Sequence, residues 1–266
     1  MKVRIALSSG TATDTGRVRS ENQDSFGVFS LDGARPGEGA QLFVIADGMG
    51  GLKGGQEASR IAVDAVADHF SARHVSDVGE ALIGAIRYAN EAVFRRAIQD
   101  EGLRGMGTTC TALAVHDGVG WLGHIGDSRA YRITSQHAEQ LTTDHTHVEE
   151  MVRLNLITRD EAAVHPNRHA LIRCLGVGDQ VDVDFSGPFG LREGEWYLLC
   201  TDGLSGVDIE TVRQTIMASP PQEACDRLVH LANEAGGPDN VTVLILRVVR
   251  VLPDNGNRHR WWPFGT

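Results

Sequence analysis

Apolar and polar positions switch between a period near two and a period near 3.6 along this chain, and the switches predict its elements. The opening stretch, MKVRIALSSGTA, alternates like an edge strand. Arg4 interrupts its apolar part, so it lacks the core of a signal peptide. Residues 13–25 are polar, with Gly16 as a turn, and a short strand follows over 26–30. After a loop rich in Gly and Pro up to Gly39, Leu42 to Ala46 form an unbroken apolar run. Such a run is too short for a helix and reads as a strand buried on both faces. It stops at Asp47, and Gly48, Met49, Gly50 and Gly51 follow. A carboxylate at the end of a buried strand is held rigidly, and glycines after it let the backbone turn and approach a ligand. Taken alone, the stretch fits a strand end with an Asp-Gly turn better than a metal ligand.

The period then changes. Ala58, Ile61, Ala62, Ala65, Val66 and His69 share one face of a helix over 54–70. Leu82, Ala85, Ile86, Ala89 and Val93 do so over 78–98. Four strand-like runs follow at 108–115, 119–125, 130–134 and 138–141. Their close spacing predicts hairpins in one antiparallel sheet. Thr146 with Glu149 reads as a capping box opening a helix through about Leu154, and 156–182 reads as irregular. Another apolar strand over 195–201 ends in Asp-Gly; helices over 209–218 and 222–234 and a long strand over 241–251 complete the pattern. Hairpins interspersed with helix pairs predict an α+β domain with antiparallel sheets rather than a Rossmann alternation. Residues 252–266, basic and rich in Pro, Asn and Gly, read as a tail outside the fold.

Composition narrows the function classes. The chain has 266 residues, 41% of them hydrophobic, and a formal net charge of −10. That acidity argues against a nucleic-acid binder, and no apolar run is long enough to span a membrane. Cys110, Cys174, Cys200 and Cys225 are widely spread, without a C-x-x-C, and read as buried free thiols in a reducing cytoplasm.

The strand-terminal carboxylate recurs. Tyr197 to Gly203 repeats the design with Asp202, Trp121 to Arg129 repeats it with Asp127, Asp239 opens the last strand, and Asp24 precedes the second. One end of a sheet sandwich could gather all five. Hard divalent ions take such oxygen ligands with water completing the shell, whereas mixed His and Cys sets would suggest zinc. One Asp-Gly means little, but several in one chain point to a metal site.

In order over 13–251, the chain carries T-D-x-G-x-x-R-x-x-N-x-D-S, ADGMGG, G-T-T at 107–109, IGDSR, T-x-DHT, HP…R-x-LG through Gly176, L-x-C-T-D-G-L and GGPDNVT. This set resembles the metal-dependent serine/threonine protein phosphatases of the protein phosphatase 2C type, in their compact bacterial form. The resemblance implies a four-layer α-β-β-α sandwich: two antiparallel sheets flanked by helices, with a catalytic domain over 1–251 and a flap over about 146–182. It implies that Asp47 bridges two Mn²⁺ or Mg²⁺ ions, that Gly48 lends its carbonyl, and that Asp202 and Asp239 hold the first ion. Asp24 would anchor metal-bound water, Arg19 would bind phosphate, and Asp127 would share a third, weakly bound ion with Asp202. The implied reaction is hydrolysis of phosphoserine and phosphothreonine on proteins, a hydroxide between the two ions attacking phosphorus directly, with Arg19 and Asp47 catalytic. The implied setting is a bacterial cytoplasm. There a monomer without a membrane span or nucleic acid would act on substrates of a serine/threonine kinase and on the kinase itself.

Two positions depart from the family pattern. Gln23 stands where many members have Glu, and its carbonyl can still accept a bond from metal-bound water. Met49 stands where human-type members place a His that protonates the leaving group, which leaves the general acid open. Other motifs have plainer readings. Ser128 lacks the Asp-His pair of a serine esterase and reads as structural. The glycines over 50–55 lack the Gly-Lys-Ser/Thr of a P-loop. His145-Thr146-His147 reads as a solvent-facing helix start. The rival functions are a catalytically silent module of the same fold, which should lack several of the five carboxylates, and a phosphatase of small phosphoesters.

Overall fold

The structure, a computed structural model, describes residues 3–30, 41–71 and 77–253. The loop expected up to Gly39 and most of the expected tail, 254–266, lie outside them. In chain order the elements begin β1 (Val3–Asp14), β2 (Asp24–Ser30), β3 (Gln41–Met49), α1 (Gly51–Ser71), α2 (Val78–Gln99), β4 (Gly107–Thr108), β5 (Cys110–His116) and β6 (Val119–Ile125). They continue with β7 (Arg129–Ile133), β8 (Ala138–Gln140), α3 (His147–Arg153), α4 (Arg159–Ala163), β9 (Asp184–Gly190), β10 (Trp196–Cys200), α5 (Ile209–Ala218), α6 (Pro221–Glu234) and β11 (Val241–Pro253). One sheet runs β1-β11-β10-β7-β8, the other β2-β3-β5-β6-β9 with β4 on β3. Every pairing is antiparallel.

β3 shows why its sequence is apolar without alternation. Its side chains alternate between two cores rather than between core and water. Leu42, Val44 and Ala46 pack under α1 and α2, among Ala62, Val66, Leu82 and Ile86. Phe43 and Ile45 face the other sheet, among Leu113, Leu199, Leu244 and Leu246. A third core lies beyond that sheet, where Leu198, Val243 and Ile245 meet Val212, Ile216 and Leu228 of α5 and α6. The result is four layers, helices on sheet on sheet on helices, as the resemblance implied. Burying a side chain the size of Phe43 or Leu244 stabilises the fold by about 1.5–3 kcal/mol.

The four successive strand-like runs do not form one sheet. β5 and β6 pair in the second sheet, whereas β7 and β8 belong to the first. The chain crosses between sheets at Gly126, Asp127 and Ser128, with Gly126 in the left-handed region at φ +106°. The spacing predicts a hairpin because a sheet-to-sheet crossing can be as short as a turn. Residues 156–182 contain α4, opened by a capping box between Thr158 and Glu161. The box expected at Thr146 is one-sided: Thr146 accepts the Glu149 N–H, but the Glu149 carboxylate goes to Arg159 at 3.1 Å. β9 is an edge strand that lacks an alternating pattern, with Gly187-Pro188 in its interior; sheet edges tolerate proline.

Candidate metal and phosphate site

The carboxylates gather at one end of the sandwich because the strands that carry them end there. Asp24 and Asp47 are direct cross-strand partners on β2 and β3. The Asp47 backbone is fixed by the 107–109 segment: its N–H donates to Thr109 Oγ1 at 2.8 Å, and its carbonyl accepts from Thr108 Oγ1 at 2.8 Å. Thr109 Oγ1 also bonds Ser128 Oγ at 2.7 Å, so one threonine ties the Asp47 strand end to the Asp127 crossing. Ser128 is fully buried and structural, as expected. Gly48 has to be glycine, because a Cβ there would lie 2.0 Å from the Gly55 carbonyl oxygen.

Asp24 does not line the cleft. Its Oδ2 accepts from Thr201 Oγ1 at 2.9 Å and Thr242 Oγ1 at 2.7 Å, while its buried Oδ1 has no partner. Asp202 follows β10 and also keeps a buried Oδ1 without a partner; its Oδ2 lies 3.3 Å from His169 Nδ1. Asp239 precedes β11 and takes Arg19 Nη2 at 2.7 Å. Asn240 fastens the Arg19 loop to this strand entry: its Oδ1 accepts from Gln23 N–H, and its Nδ2 donates to the Thr15 and Glu21 carbonyls.

A cleft of about 610 Å³ opens over this end, lined by Arg19, Asp47, Gly48, Asp127, Asp202 and Asp239. His169, Gln23 and Met49 also face it. Six of the seven expected site residues thus line one cleft, and Asp24 sits beside them in the ladder. Three supporting groups carried no local signal: Asn240 as loop fastener, His169 as partner of Asp202, and His145. The last corrects the sequence reading. His145 is 2% exposed rather than solvent-facing, because its ring accepts the Gly126 N–H at 3.1 Å and reaches Asp184 at 3.1 Å.

The charges of the cleft conflict. Burial raises the Asp47 pKa well above the usual carboxylate value, and the charges of Asp24, Asp202, Asp127 and Asp239 raise it further. Burial lifts Asp24 to about 7, against the lowering effect of Thr242 and Thr201. Burial, then Asp202, lifts Asp127 to about 7. The bond to Asp202 raises His169. Carboxylates this close and this dry cannot all ionise without added positive charge. Among the described residues, no three His, Cys, Asp or Glu side chains close on one point as a ready ion cage. Asp239 and Asp202 turn instead to donors of the protein, Arg19 and His169. The oxygen-only donor set and the unpartnered buried oxygens of Asp24 and Asp202 fit hard divalent ions.

Two stacked antiparallel sheets between helix layers, with strand-end carboxylates around one arginine, place the chain in a class of α+β sandwich whose open end suits hard divalent ions. The family described as Protein phosphatase 2C matches residues 15–234. The serine/threonine protein phosphatase PstP of Mycobacterium tuberculosis is 36% identical over 249 residues, 93% of this chain and 46% of that protein. The chain therefore spans about half the length of that relative. The serine/threonine phosphatase stp of Listeria monocytogenes is 34% identical over 241 residues, 88% of this chain and 93% of that one. Among solved structures, the catalytic domain of PstP in complex with two manganese ions superposes with a TM-score of 0.80 at 34% identity, covering 93% of this chain and all of that one. The chain belongs to the protein phosphatase 2C family.

Proposed function

We propose that this chain is a metal-dependent phosphatase that removes phosphate from serine and threonine of proteins. The observation that carries the reading is the convergence of Asp47, Asp127, Asp202, Asp239 and Arg19 at one cleft, with Asp24 beside Asp47 in the ladder, in a chain of this family. All five carboxylates are present, whereas a silent module should lack several. Asp47 would serve two Mn²⁺ or Mg²⁺ ions with the Gly48 carbonyl beside it, and Asp202 and Asp239 would hold the first. Asp24 would orient bound water, and Asp127 with Asp202 would hold a third, weaker ion. Two such ions supply Lewis acidity and lower the pKa of bound water. Arg19 is permanently charged and planar, so it can clamp phosphate oxygens in a bidentate fork as their charge develops. It reaches phosphate by exchanging its Asp239 partner, which an ion at Asp239 would take over.

Substrates of a serine/threonine kinase, and the kinase itself, are the proposed partners, and a monomer in the cytoplasm is the proposed setting. No helix among the described residues is long and apolar enough to cross a membrane. The 1–251 catalytic unit and the 146–182 flap belong to the same proposal; α3 and α4 lie in that flap, and His169 carries it to the cleft. The test is phosphate release from a phosphothreonine peptide and from an aryl phosphate by chelator-treated protein, before and after Mn²⁺. Mn²⁺-dependent release from both is expected. No release from the peptide would sink the protein-phosphatase reading, and aryl phosphate turnover alone would favour a small-phosphoester enzyme.

A further inference from the structure

His145 sits at the join of three segments. Its backbone N–H donates to the Gly126 carbonyl at 2.7 Å, and its own carbonyl accepts the Ile172 N–H at 2.8 Å. Its ring closes a second contact with the crossing loop, because the Gly126 N–H points at Nδ1 at 3.1 Å. A backbone N–H can only donate, so Nδ1 is the unprotonated nitrogen and the proton sits on Nε2. Nε2–H is then aimed at Asp184 Oδ2 at 3.1 Å. Asp184, at the start of β9, takes Arg173 Nη1 on its other oxygen at 2.6 Å. Arg173 lies at the stem of the 146–182 segment, between the bridges Thr146↔Leu171 and Thr108↔Leu175. Behind His145, the His124 ring packs tilted at 44° with 4.7 Å between ring centres and is anchored on Thr111 and the Thr143 carbonyl. The ring therefore has one place to go.

The geometry points to His145 as a positioning residue: through Gly126 it sets the backbone that presents Asp127 to the cleft. Through Asp184 and Arg173 it ties that presentation to the stem of the flap. This rests on the proposed role of Asp127 as a ligand of the weakest ion. Gly126 adopts φ +106°, a conformation open to several neighbouring arrangements without side-chain restraint. The two hydrogen bonds to His145 select one of them. Loss of groups that orient a metal ligand typically costs 10–100-fold in affinity, so the effect is measurable as ion binding without any turnover.

The amide side chains separate the two ring contacts. In His145→Asn, Oδ1 replaces Nδ1 as acceptor for the Gly126 N–H, and the bond to Asp184 is lost. In His145→Gln, Nε2–H replaces the ring donor toward Asp184, and the Gly126 N–H loses its acceptor. The experiment is calorimetric titration of Mn²⁺ into wild type, both variants, Asp184→Ala and Asp127→Ala, with thermal melts to check folding. The expected result is loss of affinity at the weakest Mn²⁺ step by about tenfold or more in His145→Gln. His145→Asn and Asp184→Ala, which lose the Asp184 bond but keep an acceptor for the Gly126 N–H, should stay within about twofold of wild type, and the tight steps should be unchanged in all three. An unchanged weak step in folded His145→Gln, or equal damage in both amide variants, overturns the inference. If His145→Gln does not fold, His145→Ala takes its place, since it also leaves the Gly126 N–H without its acceptor, and a wild-type weak step in that folded variant overturns the inference. A weak step that survives in Asp127→Ala would show instead that the reading of Asp127 is at fault.

Discussion

The site has two halves that are built differently. Asp24 and Asp47 lie side by side in the β2–β3 ladder, held by neutral groups: Thr201 and Thr242 on one, the backbone clamp of Thr108 and Thr109 on the other. Asp202, at the 3-10 turn after β10, and Asp239, in the loop before β11, are held by His169 and Arg19, side chains that are themselves 58% and 56% exposed. Neutral hydroxyls on rigid strands fix a carboxylate without satisfying its charge. Exposed donors on loops exchange readily. On the proposed reading, the ladder half would be preorganised for a cation, and the loop half would trade Arg19 and His169 for one. Pairing of Arg19 with Asp239 at half-exposed positions is worth little in stability, so the exchange costs little.

Breaking the ladder half should have the largest effect. Asp47→Asn should lower Mn²⁺-dependent phosphatase activity by at least about 10³-fold, with the fold intact by circular dichroism. Appreciable turnover by the folded variant would remove Asp47 from the centre of the site. Breaking the loop half should cost less. Arg19→Ala should raise KM for a phosphopeptide by about tenfold and lower kcat, while Mn²⁺ affinity stays the same or tightens because Asp239 is released. A wild-type KM would refute the phosphate-clamp role.

The smallest effect is on stability against pH, and its sign is set by the raised carboxylates. Asp24 and Asp127 titrate near about 7 in the folded protein and near about 4 in an unfolded chain. Between those values the folded state holds more protons than the unfolded one, so stability falls as pH rises from about 4 to about 7. Chelator-treated protein should therefore melt at lower temperature at pH 7 than at pH 5. Asp24→Asn should flatten that slope, and saturating Mn²⁺ should offset it by neutralising the same charges. A melting temperature that climbs steadily from pH 5 to pH 7 without metal would contradict the electrostatics of the ladder half.

The two halves also differ in how well they can be read from sequence. Asp47 and Asp202 are legible because an apolar run stops dead at an Asp-Gly, a local pattern with a local cause. The central cores are legible for the same reason, since Leu42 to Ala46 can be continuously apolar only if both faces are covered. The crossing at Asp127 is not legible as a crossing, because a short connection fits a hairpin equally well. His145 reads as surface because its burial depends on Gly126 and on Asp184, which lies 39 positions along the chain. β9 escapes notice because an edge strand carrying glycine and proline lacks the alternation by which strands are found. Contacts set by distant partners leave no periodic trace.

The most direct measurement of the central claim is an anomalous difference map from crystals of the protein grown with Mn²⁺. The expected result is two strong peaks about 3.5–4 Å apart, with the Asp47 carboxylate between them and Arg19 swung away from Asp239. A single peak remote from Asp47, or no peak in the cleft with Arg19 still on Asp239, would contradict it.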